Sequence, residues 1–506
     1  MTTTAPTNSS SEHPGEAGVL GADSVQGTRL MPAPAQGPTA RRFGWRDKFG
    51  YAFGDLGNDF SFILASAFLM IFYTNVLALN AALVGTIMMV VRLVDAFIDV
   101  TVGRLVDRSK IGPHGRFRPW IARFGIPVAV ASAAMYYFGA AGWDLGARIV
   151  YASVTYLLWS ALYSTVNIPY GSMAAVISSD PTHRSSLSVF RTFGAFVANL
   201  LISFCVPLVI YYKDAAGKTQ VIPQAFFWVA IVCAVLSVIS YFACYFMSTE
   251  RVQVPTKDKD EAASMAKTLA NLFKNRAMLA IVVAALVLLI ATMLTQAMTS
   301  YLWAIYFNNG AMQSFAATLA MLPTLLLLPV ATPLSRRFGK REVAVIGVGA
   351  AGLIYVVLNF LPLHQSPWGF ITATIVAGIG LGIFNMLIWA FITDVIDYQE
   401  VIASQRDDGV VYSVYSWARK VGQALAAGLG GWALGWIGYQ AGTTQQSEGT
   451  VNGIYMLSTL VPGVLYLIVA VVLAFWYPLS KKVVVQNSMT LNERHQAAAI
   501  AAAESH

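Results

Sequence analysis

The sequence predicts an all-α integral membrane protein with twelve transmembrane helices in two six-helix bundles. Three observations predict it. First, 57% of the 506 residues are hydrophobic and only 11% are charged, with a mean hydropathy of +0.60; a soluble chain of this length needs far more charge. Second, apolar runs long enough to cross a bilayer recur along the chain. Third, Lys and Arg gather in alternate gaps between those runs.

The runs fall near 51–77, 82–103, 119–140, 148–175, 187–212 and 224–247, then near 277–307, 314–334, 342–361, 368–393, 411–437 and 452–477. Six lie on each side of one polar gap. This divides the chain into a tail at 1–42, an N-terminal bundle at 43–247, a linker at 248–276, a C-terminal bundle at 277–479 and a second tail at 480–506.

The first tail is rich in Thr, Ser, Pro, Gly and Ala and lacks the short apolar core of a secretory signal. It reads as disordered. In the linker, Met265, Leu269, Leu272 and Phe273 recur at helical spacing opposite Lys267 and Lys274. That pattern predicts an amphipathic helix on the membrane surface. Cys205, Cys233 and Cys244 lie in apolar runs with no CxxC pair and no Cys/His cluster, which argues against a disulfide framework or zinc site and for buried small hydrophobes.

Arg41, Arg42, Arg46 and Lys48 precede the first run, Arg104 to Arg118 follow the second, and Arg336 to Arg341 follow the eighth. The gaps near 78–81, 308–313, 362–367 and 438–451 carry no Lys or Arg. Lys213 and Lys218 are a weak exception. The positive-inside rule then puts both termini in the cytoplasm, in a cell (inner or plasma) membrane. The net charge of +8 follows from these flanks rather than from nucleic-acid binding.

The halves echo each other. Gly103-Arg-Leu-Val-Asp107-Arg108 follows the second run, and Pro333-Leu-Ser-Arg336-Arg337-Phe-Gly339-Lys340-Arg341 follows the eighth. Internal symmetry of this kind marks transporters that rock two bundles around a midplane site. The Gly-x-x-x-Asp-Arg form resembles the loop motif of the major facilitator superfamily, which implies the major facilitator fold.

Polar residues inside the runs point to function, because a carboxylate at bilayer depth costs roughly 2.5–3.5 kcal/mol on insertion scales. Asp95 and Asp99 lie one helical turn apart in the second run, with Arg92 three residues before. That face suits a cation. Asp55 and Asp59 repeat the spacing in the first run; Asp55 reads as a solvated charge at the edge and Asp59 as the deeper site candidate.

The fourth run holds Tyr163, Ser164 and Asn167 before Pro169. Pro169 breaks the helix locally, and Asn167 can both donate to and accept from sugar hydroxyls. Arg191 in the fifth run is expected to neutralise Asp59 or Asp95, or to meet substrate. In the eleventh, Ser416, Arg419, Lys420 and Gln423 cluster, with Lys420 facing the opposing bundle and Arg419 turned toward the cavity or the surface. Asp394, Asp397 and Tyr398 end the tenth run as solvated acids or as a gate pairing with basic residues of the other half. Arg336 and Arg337 belong to the same gating group.

Together these segments resemble the glycoside–pentoside–hexuronide:cation symporters, typified by melibiose carriers, from about Lys48 to Tyr477. The likeness rests on Gly54–Phe60, Gly85–Arg92, Asp95 and Asp99, Gly115–Trp120, Asn167–Pro169, Asp394–Tyr398 and Tyr412–Lys420. The resemblance implies a cation site at Asp95 and Asp99, with Ser164 and Lys420 beside it. It implies sugar contacts from Asp59, Tyr163, Asn167 and Arg191, and a hydroxyl role for Ser416.

The departures are informative. Ile98 stands where sodium-using carriers have Asn, and Ser164 stands where they have Thr. With one neutral oxygen lost, a sodium ion held by Asp95 and Asp99 is disfavoured and a proton is expected. Asn167 in place of Asp and Gly171 in place of Trp resemble the xyloside and glucuronide branch. So does the Tyr415-Ser-x-x-Arg419-Lys420-x-Gly-Gln423 pattern.

The function expected is symport of a glycoside, oligosaccharide or hexuronide with H⁺ or Na⁺ by alternating access. The chain is expected to be no enzyme, to need no cofactor beyond the coupling ion, and to work as a monomer. Its partners are a sugar, a cation and the bilayer. The alternatives are a lipid or drug carrier of the same superfamily and a membrane prenyltransferase using Asp95/Asp99 and Asp394/Asp397 for Mg²⁺–diphosphate.

Overall fold

In the computed structural model the described residues are 41–252 and 275–504, apart from 111, 179, 328–329, 362–365, 404–407 and 444. The expected disordered tail, up to residue 40, and the expected amphipathic linker helix lie outside them.

The N-terminal bundle holds α1 (Trp45–Ile71), α2 (Ala81–Asp107), α3 (Arg118–Ala134), α4 (Leu145–Ile177), α5 (Pro181–Ile210) and α6 (Pro223–Met247). The C-terminal half begins with α7 (Arg276–Tyr301), followed by three short helices, α8 (Met312–Leu319), α9 (Leu322–Leu327) and α10 (Ala331–Phe338). Then come α11 (Lys340–Phe360), α12 (Pro367–Ala403), α13 (Asp408–Trp436), α14 (Glu448–Ser458) and α15 (Leu460–Val471). A last helix, α16 (Lys481–Glu504), occupies the second tail.

Among the described residues, ten helices are long and apolar enough to cross a bilayer. The eighth run is not one continuous helix, as the sequence pattern predicts, but the short α8, α9 and α10. Pro323 and Pro333 lie in the first turns of α9 and α10, and each lacks the N–H that an uninterrupted helix needs. Pro169, by contrast, leaves α4 unbroken.

The two halves share a device the sequence did not reveal. Helix α1 ends in a π-turn at Phe72–Val76 and α7 ends in one at Leu302–Tyr306. Each is closed by the same pair of backbone bonds: Leu77 N–H to Phe72 O (3.1 Å) and Leu79 N–H to Tyr73 O (3.0 Å) in one half, Phe307 N–H to Leu302 O (3.0 Å) and Asn309 N–H to Trp303 O (2.8 Å) in the other. Six residues after each π-turn begins, a non-glycine residue turns left-handed: Ala78 at φ 50° and Asn308 at φ 49°. The repeat continues at the opposite end. Arg118 at the start of α3 donates to Tyr245 O at the end of α6, and Arg341 at the start of α11 donates to Leu473 O beyond α15.

The bundles join at the end bearing the Lys- and Arg-free loops. There the Thr74 and Tyr301 hydroxyls share a hydrogen bond (2.8 Å), Tyr439 Oη donates to Asn75 (2.5 Å), and Gly442 N–H donates to Thr74 O (3.0 Å). One buried core runs through this junction, from Phe68 and Phe72 of the first half to Met298, Trp303 and Tyr455 of the second. The gap after the fifth run, expected as a loop at 213–223, forms a hairpin pairing Tyr211–Lys213 with Thr219–Val221. It docks on Asn308, which accepts from Thr219 N–H (2.6 Å). The Lys218 N–H donates to Asp214 at its turn and holds that carboxyl below the usual carboxylate range.

The opposite end carries the basic loops, and each bundle is tied to itself there. Buried Asp47 pairs with Arg41 and Arg251, each at 2.9 Å. Glu250 accepts the backbone N–H groups of Arg116, Phe117 and Arg118 at 2.8–2.9 Å, satisfying the otherwise orphaned donors before α3.

Helices α2 and α13 pack against each other across the bundles. Glycine makes this possible: a Cβ on Gly431 would lie 2.3 Å from Ala81 O and 2.5 Å from Gly85 Cα. No side chain fits at that approach.

Candidate cation and substrate site

The α2–α13 contact places the charged residues of both helices together. Ser160 Oγ donates to Asp95 Oδ1 at 2.7 Å. Ser164 Oγ lies within hydrogen-bond distance of Asp95 Oδ1 (3.2 Å) and Asp99 Oδ1 (2.5 Å). Lys420 Nζ donates to the other oxygen, Asp99 Oδ2. One turn of α4 thus bridges the carboxylates that one turn of α2 presents. The Ser164 hydroxyl carries a single hydrogen and faces two carboxylates.

Arg92 is not in an ion pair with Asp95. Its guanidinium sits among the rings of Phe62 (5.2 Å), Tyr156 (5.9 Å) and Trp159 (6.0 Å). It lines a small cavity with Tyr156, Gln296 and Gln423. Tyr163 stacks on Phe62 at 5.9 Å and leans on Trp159.

Arg191 pairs with Asp55 at 3.0 Å, not with Asp59 or Asp95 as expected. Asp55 is only 6% exposed, so it is no solvated edge charge. The side of α1 on which it lies packs on α5, where a Cβ at Gly194 would meet Ala52 O at 2.3 Å. That close approach brings the Arg191 turn against Asp55. Asp59, one turn further, makes no hydrogen bond or ion pair among the described residues. Asn58 beside it accepts from Tyr241 Oη (3.0 Å) and donates to Asn167 (3.4 Å).

Asp394 pairs with Lys340 at 2.7 Å. Both belong to the C-terminal half, so the expected pairing with the other half does not occur for this residue. Lys340 opens α11, which packs on α12, and that packing brings it to Asp394. Asp397 is also engaged, Tyr398 packs on the C-terminal core, and Arg337 lies over Phe338 at 5.4 Å. The side chains of Arg336 and Ser416 lie outside the described residues. Arg419 is exposed, one residue round the helix from Lys420.

Sequence reasoning missed Ser160, Asn58 and Gln296. Ser160 lies four residues before Ser164, on the same face, and that spacing was the available signal. Asn58 neighbours a site candidate, while Gln296 sits unannounced in the apolar seventh run.

The pattern of the MFS/sugar transport proteins matches residues 50–481. The glucuronide carrier protein homolog of Escherichia coli (strain K12) is 30% identical over 443 residues, covering 87% of this chain and 94% of that one. The chain belongs to the glycoside–pentoside–hexuronide:cation symporter family. A second member, the isoprimeverose transporter of Lactiplantibacillus pentosus, is 30% identical and covers 85% of this chain and 88% of its own. The crystal structure of a D-xylose-proton symporter, at 10% identity, shares the major facilitator fold with a TM-score of 0.60 over 86% of this chain and 98% of that one.

As a family member this multi-pass membrane protein is a transporter and not an enzyme, which removes the prenyltransferase reading. Its Asp pairs also argue against that chemistry: Asp95 and Asp99 are tied to serines and a lysine, and Asp394 to Lys340.

Proposed function

We propose that the chain imports a neutral glycoside together with one cation, with Asp95 and Asp99 as the coupling site and both termini in the cytoplasm. The observation that carries the reading is the division of Asp99 between the two bundles, one oxygen toward Ser164 and the other toward Lys420. A cation entering between Asp95 and Asp99 competes with Lys420 for that carboxylate. Cation occupancy therefore alters the contact that joins the bundles at mid-height.

The charges support a single cation. Asp55, Asp59, Asp95 and Asp99 stand against Arg92, Arg191 and Lys420, which leaves one negative charge. Neutralising it lowers the penalty of enclosing the site. Linkage then requires that the cation raise sugar affinity by the factor that sugar raises cation affinity.

Asp59 supports sugar binding, because an unpartnered carboxylate accepts two sugar hydroxyls. Relatives named for a glucuronide and for isoprimeverose support a sugar-linked substrate. A neutral glycoside is favoured over a uronate because Arg191 and Lys420 are engaged by Asp55 and Asp99, and Arg92 is held among rings.

The coupling ion in this reading is a proton, since Ile98 supplies no oxygen. Ser160 favours sodium as the second reading, because it returns one neutral oxygen to Asp95. The test is uptake into inverted and right-side-out vesicles with a panel of glycosides under sodium, lithium or proton gradients alone. Accumulation against a gradient that Asp95→Asn or Asp99→Asn abolishes supports the reading; accumulation that survives both substitutions overturns it.

A further inference from the structure

A second cavity, of about 330 Å³, lies between the bundles toward the end where they join. It falls within the range of ligand pockets, at the small end. Its polar lining includes Asn199 and Ser203 of α5 and Thr292, Thr295, Gln296 and Thr299 of α7, beside Gln313, Thr374 and Ser458. The four α7 residues recur at i, i+3, i+4 and i+7, so one helix face presents them all. No lining residue carries a charge.

The cavity adjoins the substrate site. Asp59, Ile63 and Ala67 recur every four residues on one face of α1, and Ile63 and Ala67 line the cavity. Its wall on α1 therefore begins about one helical turn along the helix from Asp59. Gln296 lines both this cavity and the one holding Arg92 and Gln423.

The hydrogen-bonding state of the lining defines what it accepts. Thr292, Thr295 and Thr299 each donate to a backbone carbonyl one turn earlier, at 2.8–3.0 Å. The oxygens of Thr292 and Thr299 remain as acceptors facing the cavity, while that of Thr295 is turned to the Tyr466 hydroxyl. Ser203 donates to Asn199 Oδ1 at 2.9 Å, which leaves the Asn199 amide N–H₂ free to donate. Gln296 makes no hydrogen bond among the described residues and offers both functions. An anionic group finds no cation here, and an alkyl chain would strip these groups of water without replacing it. A polyhydroxylated neutral group matches them donor for acceptor.

We propose that this cavity is a second subsite that takes an uncharged sugar residue linked to the one held at Asp59, so that the chain is built for a disaccharide-sized glycoside. The inference rests on the glycoside reading above and adds to it the size and polarity of the substrate's distal half.

The test compares matched probes: methyl β-D-xyloside against β-1,4-xylobiose, and methyl β-D-glucoside against cellobiose. Uptake and competition are measured on the full chain in vesicles. Thr292→Val and Thr299→Val each remove an acceptor at nearly constant shape. Each is expected to raise the disaccharide KM about fivefold relative to that of the matched methyl glycoside, the effect of one neutral hydrogen bond. Thr299→Ser, which keeps the hydroxyl, is expected to restore the ratio. Equal changes for both members of a pair, or no change in either, overturn the subsite while leaving glycoside transport standing. A parent protein that carries none of the four overturns both readings. Methyl glycoside uptake in the Val variants also reports that they fold.

Discussion

Asp99 of α2 and Lys420 of α13 form an ion pair across the two bundles, with the lysine 45% and the aspartate 19% exposed along their side chains. They stand 321 positions apart in sequence. The glycine contact between Gly85 and Gly431 sets the spacing of the same two helices further along. One helix pair thus holds both a close backbone approach and the charge pair at the cation site.

Lys420→Ala is expected to separate coupling from binding. Losing the lysine leaves Asp99 with Ser164 alone, so cation affinity rises while cation entry no longer releases a cross-bundle contact. Sugar-driven cation exchange should persist and accumulation against a gradient should fall at least tenfold. The ratio of exchange to net uptake in vesicles checks this.

Ser160 and Ser164 distinguish the two coupling ions by sign. Their hydroxyls donate to Asp95 and Asp99, and a hydrogen bond to a charged group is worth about 1.5–3 kcal/mol. Ser164→Ala removes stabilisation of the bare carboxylates. If the ion is a proton, half-maximal transport shifts to lower proton concentration by about tenfold or more. If it is sodium, a ligand is lost and the half-maximal sodium concentration rises instead. Transport measured across pH at fixed sodium, and across sodium at fixed pH, reads the direction.

The Arg191–Asp55 pair gives a stability cycle. Arg191→Ala leaves a buried carboxylate without its partner. Breaking a fully buried pair this way costs about 3–5 kcal/mol, and less here because the Arg191 side chain is 45% exposed. Arg191→Ala should melt earlier in detergent than Asp55→Asn/Arg191→Ala, in which no lone charge remains. Thermal unfolding of the three proteins tests the order, and identical melting temperatures would falsify the pairing.

Gly431→Val forces α13 away from α2, because even a Cβ would fall 2.3 Å from Ala81 O. Overpacking typically costs about 1–3 kcal/mol. Thermal stability should fall, and apparent cation affinity should change although the substitution lies eleven positions from Lys420. Gly103→Ala, where a Cβ meets nothing within 4 Å, is the control expected to leave both unaltered.

The membrane class, the two halves and the pairing of Asp95 with Asp99 were all determined by the sequence alone. The reason is that hydropathy and helical spacing are local: bilayer thickness fixes run length, and 3.6 residues per turn fixes which residues share a face. The relations between helices were decided only by the tertiary structure. Arg191 met Asp55 rather than Asp59 because Gly194 lets α5 approach Ala52 at that level. Asp394 met Lys340 because α11 and α12 are neighbours within one bundle. Ser160, Asn58 and Gln296 entered the site because of what faces them across a gap, and periodicity along one helix carries no record of its neighbour. A partner chosen by packing depends on the distance of closest approach between helices, and in this chain glycines distant in sequence set that distance.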